Sequence, residues 1–501
     1  MNATLDLPAH IAALPLAQGF GRQWAEIAGF DAARAAAIVL ACEEAFIGIV
    51  GRAAQDGSEP VRISGSLTAL ALALDFVDRE APPAPADDVP PAVDPDRLED
   101  ADLSGIGRLL IRAAADEALW ETLGRDGNRL RLVFHRPQAE VAQRAEPGAL
   151  ERFDDEAPLA PPQDYHVRTA SEESDWFQIS RTIYRAYGYT YTNEDMYFPD
   201  RVRELNRSRR LVSVLATTLS GEVVGHYALE LGGLGQVSAD VRAIAETGMA
   251  VVDPAHRGRG LMERMRTCIE SEARALGLKA VFGQPVTRHP YSQRVNERFG
   301  SRPCALSLAF VSDTARFRGI ETGGTPQRES CLMYFKSLVP PELRRIAPPA
   351  QHSAVLLDTY AECGLPVAID DAVAPLEAHS RVSAHYIAAL ELGMIRIETI
   401  GADIAAALRT ARNELTRQAG ARVLYLTMRL TRPGCADACD AAERLGFFYG
   451  GLAPYFDEGE DVLRLQCVDT ALDTGRLTIA SPFARRILAY VEADRARVER
   501  L

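Results

Sequence analysis

MAVVDPAHRGRGLMERMRTCIESEARAL, residues 249–276, is the stretch from which the fold of this chain is read. A β-rich run, Met249 to Val252, meets a turn at Asp253-Pro254. His256-Arg257-Gly258-Arg259-Gly260 follows, and a helix begins at once. Leu261, Met262, Met265, Cys268, Ile269, Ala273 and Leu276 recur at helical spacing, and Gly277 sits where a glycine ends a helix. A strand, a glycine-bearing loop and a helix N-terminus together form an anion site. The loop and first-turn N–H groups point outward, and the helix dipole favours negative charge there. Glycine lets the backbone approach a phosphate closely.

The details choose among phosphate loops. A P-loop needs Lys-Ser/Thr after its last glycine, whereas Leu261-Met262 stands here. The G-x-G-x-x-G spacing of a dinucleotide site is missing too. What remains is V-x-P-x-x-R-G-x-G-L/M, written by Val252, Pro254, Arg257, Gly258, Gly260 and Leu261. This resembles the acetyl-CoA pyrophosphate loop of the GNAT N-acetyltransferase superfamily. One departure is Ala255, where relatives often carry Gln or Arg. The resemblance implies acetyl-CoA as cosubstrate, bound by Met249, Ala250, Val251 and Val252 on the strand, by Arg257, Gly258, Arg259, Gly260 and Leu261 in the loop, and by Ser292 on a later helix.

Around the loop, the element order fits that superfamily. Strands are expected at Tyr165–Arg168, Arg210–Leu219, Glu222–Leu231, Ala280–Val286, Ala305–Val311 and Cys331–Lys336, with helices at Trp176–Tyr187 and His289–Gly300. Relatives use a Glu on the strand before the loop and a Tyr on the later helix. Here the Tyr position holds Asn296 and a CoA-contacting Asn position holds His289. Glu246 and His289 are therefore the catalytic candidates, with Tyr291 and Ser292 nearby. His289 also reads as an N-cap of a helix starting at Pro290. Tyr187, Tyr189 and Tyr191 lie where relatives build the acceptor wall. Local core packing explains the same tyrosines.

Residues 341–478 resemble a second, eroded copy. A strand at Ile395–Ile400, a helix at Ala402–Gln418, a strand at Val423–Leu430 and CADACDAAERLGFFYGG from Cys435 repeat the late elements. Between Ile400 and the helix only Gly401 stands, with no Pro-x-x-Arg-Gly-x-Gly. This copy is expected to shape rather than to catalyse.

The N-terminal third differs. Asp31 caps an expected helix with the apolar face Ile38, Cys42, Ala45, Phe46 and Ile49. A strand at Leu70–Val77 ends in Asp78-Arg79. Ser104-Gly105-Ile106-Gly107 opens a helix, Leu109–Ala118, and a strand, Asn128–Phe134, closes the unit. The order resembles the ATP-binding domain of anti-sigma-factor serine kinases, within the histidine-kinase-type ATPases. By position, Glu44 matches the helix Glu, Asp78 the adenine-binding Asp, and Gly105 and Gly107 the glycine loop. Gly48 falls where those relatives hold Mg²⁺ through Asn, and Glu80-Ala81 stands where a glycine should follow. Mg²⁺ needs near-octahedral oxygen ligation, so turnover of ATP is not expected. ATP binding without turnover and a partner-binding relic stay open.

At 501 residues, about three domains are expected. Proline-rich stretches divide the chain into an ATPase-like domain at 1–136, a linker at 137–163, an acetyltransferase domain at 164–340, the second copy at 341–478 and a C-terminal helix at 479–501. The fold class is α/β (α+β), an ATPase-like α/β sandwich followed by two tandem GNAT-like mixed-sheet domains. A net charge of −14 argues against a nucleic-acid partner. Eight scattered cysteines without zinc spacing suggest reduced thiols, a cytoplasmic protein and no metal. Neither a signal peptide nor a membrane-spanning run is read. The expected function is direct acetyl transfer to a small-molecule or protein amine. The alternative is a non-catalytic regulator that binds a sigma-factor-like partner through residues 1–136 and senses acetyl-CoA.

Overall fold

The computed structural model describes residues 1–53, 59–68, 71–80, 106–123, 127–136, 139–146, 148–154, 156–191, 193–231, 243–311, 327–370, 375–387, 390–418 and 420–501. The N-terminal unit contains β1 (Asn2–Leu7), α1 (Leu14–Ala28), α2 (Ala32–Val50), β2 (Val61–Leu67), β3 (Ala71–Asp78), α3 (Ile106–Ala114), β4 (Glu117–Thr122) and β5 (Asn128–His135). The short α4 (Val141–Arg144) follows. The first of two similar units contains β6 (Tyr165–Thr169), α5 (Glu173–Tyr187), α6 (Pro199–Arg207), β7 (Leu211–Thr218), β8 (Val223–Glu230), β9 (Ile244–Val252), α7 (Leu261–Ala275), β10 (Ala280–Gly283), α8 (Tyr291–Arg298), β11 (Arg302–Val311) and β12 (Glu329–Ser337). The second contains β13 (Arg344–Ile346), α9 (Ser353–Glu362), β14 (Val367–Ile369), β15 (Arg381–Ile387), β16 (Leu392–Thr399), α10 (Ile404–Asn413), β17 (Val423–Arg429), α11 (Cys435–Glu443), β18 (Phe448–Asp457) and β19 (Glu460–Val468). Helix α12 (Pro482–Val498) closes the chain. Among the described residues, no helix is long and apolar enough to cross a membrane.

Asp31 caps α2 by accepting from the Arg34 amide at 2.8 Å, and Gly29 ends α1 at a left-handed φ of 81°. The expected helix Leu109–Ala118 is corrected: α3 stops at Ala114 and Ala118 lies in β4. Asp116 breaks the helix, its carboxylate taking Arg34 Nη2 and the His135 amide, both at 2.6 Å. The alternation of Ala118 and Trp120 against Glu117, Leu119 and Glu121 is the strand pattern that follows.

All three units share a 17-stranded sheet. Its pairings run β1-β2-β3-β5-β4, then β15-β16-β17-β19-β18, then β11-β12-β10-β9-β8-β7-β6. The first and second of the two similar units meet through β11 and β18, where Ala305 faces Gly451. A Cβ at Gly451 would overlap Ala305, and its φ of 134° suits glycine. Ala309 and Tyr455 repeat one left-handed bulge, at φ 55° and 60°, at the same place in β11 and β18. The units are thus related by a pseudo-twofold through this contact. Buried Gln466 ties them together by accepting from the Leu308 amide at 2.8 Å and donating to the Leu306 and Tyr449 carbonyls.

The same symmetry assigns equivalent positions. In the first unit Glu246 pairs with Phe282 and Glu230. In the second, Met394 pairs with Tyr425 and His385. Met394 therefore stands where Glu246 stands, and His385 where Glu230 stands. On the far side Leu211 of β7 pairs with Glu230, while Leu119 of β4 pairs with His385. The N-terminal unit's edge strand thus occupies, beside β15, the place that β7 takes beside β8. An exposed strand edge needs such cover.

Candidate functional site

Strand β9 carries the local distortion on which the site rests. It pairs in parallel with β10 through Ile244, Ala245 and Glu246, and beyond Glu246↔Phe282 the two strands part. From there β9 is bonded on one side only, to β8, with an irregularity between His226 and Ala228. Met249 sits in that bulge at a φ of 54°. His226 holds it. The imidazole is buried, its Nδ1 lies 2.9 Å from the Met249 carbonyl, and its Nε2 lies 3.1 Å from Ser213 Oγ. Burial pushes the His226 pKa down to about 4. The neutral ring therefore donates from Nδ1 and accepts at Nε2. In the second unit β16 and β17 stay paired from Leu392↔Val423 to Ile397↔Met428, so no such gap opens.

Strand β9 leads straight into the loop. Gly258 and Gly260 adopt φ values of 75° and 68°, and Gly260 begins α7 with no side-chain cap. Nothing lies within 4 Å of where a Cβ would stand on either glycine. The loop and the first residues of α7, Leu261 and Met262, line a cavity, as an anion site at a helix start requires. Asp253 shapes the turn by accepting from the Ala255 amide at 3.0 Å. Residues of the expected linker brace it: Ala160 donates to the Ala255 carbonyl at 2.7 Å, and Arg259 donates to the Ala160 carbonyl at 2.9 Å. Buried His256 meets Tyr165 Oη at 3.0 Å.

A cavity of about 1840 Å³ opens from this loop. Met249 to Val252, Arg257 to Leu261, Ser292, His289 and Glu246 all line it. Glu246 is held by Gln284, whose Nε2 lies 3.3 Å from both carboxylate oxygens. Burial and the facing Glu230 raise its pKa to about 8, against Gln284 and buried Arg464 of the second unit. His289 does not cap a helix: α8 starts at Tyr291 with Pro290 at the cap position, which corrects that expectation. Burial lowers the His289 pKa, and its Nδ1 has no hydrogen-bond partner. Asn296 lines the cavity with its Oδ1 buried and unpartnered, beside Gly283 at the parting of the strands. These two orphaned atoms and the open glycine cradle fit a bound pantetheine and pyrophosphate.

The tyrosines separate. Tyr187 and Tyr191 line the cavity, with rings 4.9 Å apart. Tyr189 is 51% exposed and packs on Tyr184 and Tyr197 instead, so it leaves the expected acceptor wall. Sequence reading missed Glu230, Asn193, Glu117 and His385, which the cavity also includes. Glu230 was legible in principle, sixteen residues before Glu246 on an expected strand. The others have no local signal.

Among the described residues the second unit has no comparable cradle. A Cβ on Gly401 would meet the His379–Ser380 backbone at 2.4–2.7 Å. Asp403 begins α10, and its carboxylate accepts from the Ser380 amide at 2.6 Å. A carboxylate at this helix end repels phosphate. Among the described residues one His/Cys/Glu group comes together, His352, Cys439 and Glu443. Arg497 grips Glu443 at 2.5 and 2.9 Å, and Tyr490 Oη sits 2.9 Å from His352 Nδ1. His352 Nε2 lies 3.2 Å from Glu443 Oε1 and has no hydrogen-bond partner.

In the N-terminal unit the expected nucleotide residues are occupied by one another. Asp78 is buried and takes Arg52 Nη2 at 2.9 Å and Asn128 Nδ2 at 3.1 Å. Arg52 also reaches the Gly48 carbonyl at 2.7 Å. Glu44 packs on α3, its Oε2 2.5 Å from a Cβ placed on Gly107. Burial raises the Glu44 pKa. Gly105 lies outside the described residues. The Asp78 carboxylate is therefore engaged by an arginine. Calorimetry with Mg-ATP is expected to give no saturable heat with the full chain, and ATP hydrolysis is expected to be absent. Turnover abolished by Glu44→Ala would contradict this.

Residues 7–134 match the family described as "Histidine kinase-like ATPase domain". No curated protein sequence matches the chain. Among solved structures, an N-acetyltransferase from Staphylococcus aureus Mu50 is 14% identical, with a TM-score of 0.28, covering 35% of this chain and 100% of its own. A GNAT superfamily phosphinothricin acetyltransferase from Sinorhizobium meliloti, solved in complex with AcCoA, is 16% identical, with a TM-score of 0.27, covering 34% of this chain and 88% of its own. A ribosomal-protein-S5-alanine acetyltransferase from Vibrio fischeri is 14% identical, with a TM-score of 0.27, covering 34% and 92%.

Proposed function

We propose that this chain, an N-terminal ATPase-like domain fused to two GNAT-like folds, is an acetyl-CoA-dependent N-acetyltransferase with one working site, between β9, α7 and α8. The observation that carries the reading is the parting of β9 from β10 after Glu246, at the Met249 bulge and directly before the uncapped start of α7. The pyrophosphate would lie over Arg257 to Leu261, on backbone N–H groups and the α7 dipole. Pantetheine would enter between the parted strands. A backbone N–H freed by the bulge would face the thioester oxygen as negative charge develops.

The acceptor amine would attack the thioester carbonyl from the side of Glu246. Its proton passes to that carboxylate, and the C–S bond breaks to release CoA thiolate. Glu246 is suited to this because burial makes it a stronger base than an exposed carboxylate. Asn296 stands where related enzymes carry a tyrosine, so the thiolate gains its proton from water. Met394 at the equivalent position and the blocked Gly401 turn give the second unit no such chemistry.

The test is calorimetry with acetyl-CoA, followed by CoA release with a panel of amines. Binding in the micromolar range with amine-dependent release supports the enzyme. Binding without release from any amine would favour a metabolite-sensing regulator, and pull-down through residues 1–136 then becomes the decisive measurement. No binding removes the site.

A further inference from the structure

Within the acetyltransferase reading, on which this inference rests, we propose that the acceptor is a small molecule with a second cationic group. Glu117 on the N-terminal domain's open sheet face holds that distal group, with His385 of the second acetyltransferase-like unit beside it. The N-terminal domain is then a specificity wall for the neighbouring active site.

The placement follows from strand alternation. On β4 and β5, Ala118, Leu132 and Phe134 face the helices α1 to α3 and are buried in the domain core. The alternate residues Glu117, Leu119, Glu121, Val133 and His135 point the other way. They line the same cavity as Glu246 and the Arg257–Leu261 loop. Strand β4 is locked in that position by its ladder with β15, from Val382↔Thr122 to Tyr386↔Ala118. The ladder sets Leu119 opposite His385. The helix-packed side of the domain, where Asp78 and Glu44 lie, takes no part in the cavity.

The charge of the cavity points to a cation. Arg131 and Arg396, which line it, are paired with Asp75 and Asp457. Arg257 and Arg259 also line it, on the loop assigned to the pyrophosphate, and Asp116, Glu121 and Asp195 are paired with Arg34, Arg129 and Arg201. Away from that loop Glu117, Glu194, Glu230 and Glu246 stand against Arg210. A single ammonium at the thioester answers Glu230, beside a Glu246 that burial holds largely protonated at neutrality. Glu117 lies on a different domain and needs a separate partner. Its side chain is 46% exposed, and its ion-pair contact is His135, at 3.6 Å. His135, then His385 and Arg210, hold Glu117 below the usual carboxylate range against the cost of burial, so it stays ionised. An acceptor cation would replace the proton of His135 as its counter-charge.

The experiment uses the full-length protein, acetyl-CoA, α,ω-diamines from 1,4-diaminobutane to 1,8-diaminooctane, and monoamines of matched length. CoA release is measured. At least one diamine is expected to exceed its matched monoamine in kcat/KM by about tenfold. Glu117→Gln should abolish that preference through the diamine KM, leaving kcat, monoamine turnover and acetyl-CoA affinity unchanged. Glu117→Asp should restore part of it. Calorimetry with acetyl-CoA on each variant shows that the fold is intact. Equal turnover of diamines and monoamines overturns the inference. So does a preference that survives Glu117→Gln, or acetyl-CoA binding with no amine of the series acetylated. Failure of the parent protein to bind acetyl-CoA overturns the acetyltransferase reading instead.

Discussion

Glu246→Gln lowers amine-dependent CoA release by roughly 10²–10⁴-fold, the range expected for loss of a general base, with acetyl-CoA affinity nearly unchanged. The substitution keeps shape and its contact with Gln284 but removes the proton acceptor. The pH profile checks the assignment. With a pKa of about 8, Glu246 is largely protonated at neutrality. The parent rate should therefore rise with pH and level off above about 8, and that inflection should vanish in the variant. Stability has the opposite sign. A carboxyl whose folded pKa lies above its unfolded value of 4.5 stabilises the fold at low pH. That contribution is lost as pH rises from the unfolded value through about 8. Glu246→Gln has no such loss, so its Tm relative to the parent should improve between pH 5 and pH 9. His289 is the rival, buried, neutral and with an orphaned Nδ1. Full loss of activity in His289→Gln, with Glu246→Gln active, would move the base to α8. If neither alters the profile, the proton leaves through water.

Gly258→Glu weakens acetyl-CoA binding by at least about tenfold, or about 1.4 kcal/mol. The fold itself should accept the side chain, because no atom lies within 4 Å of the new Cβ. The cost in the free protein is the φ of 75°, which L residues adopt at roughly 1 kcal/mol. The larger effect is on the ligand: a carboxylate and its stem occupy the space through which phosphate approaches the N–H groups of α7. Gly258→Ala should therefore lose much less affinity than Gly258→Glu at a similar Tm. Calorimetry on the three proteins decides the matter. Equal affinities would place acetyl-CoA elsewhere or nowhere.

The local parts of this protein are written in short windows of sequence. The periodicity of Leu261, Met265, Ile269 and Ala273 announces α7, and all four are buried on one face. Gly258 and Gly260 announce a backbone that only glycine adopts cheaply, and both have positive φ. Ile400 to Asp403, with Gly401 the one glycine among them, separate β16 from α10, fewer than the eight residues from Asp253 to Gly260 between β9 and α7. Each inference needs only neighbours within a turn or two, where covalent geometry and hydrogen-bond periodicity act directly.

The tertiary structure alone decided what faces the active site. Strand alternation in β4 says that Glu117, Leu119 and Glu121 share a face, but not what that face meets; the 3.6-residue reading even took Ala118 for helix. Pairing of Leu119 with His385 joins residues 266 positions apart, and any strand of matching pattern would satisfy the same backbone groups. The Met249 bulge depends on buried His226 and Ser213 of two other strands. Asp78 looked free for a ligand until Arg52 and Asn128 closed on it. Raised basicity at Glu246 likewise comes from burial beneath three units and from Glu230 across the ladder. Desolvation and charge coupling depend on distance in space, and separation along the chain does not encode that distance.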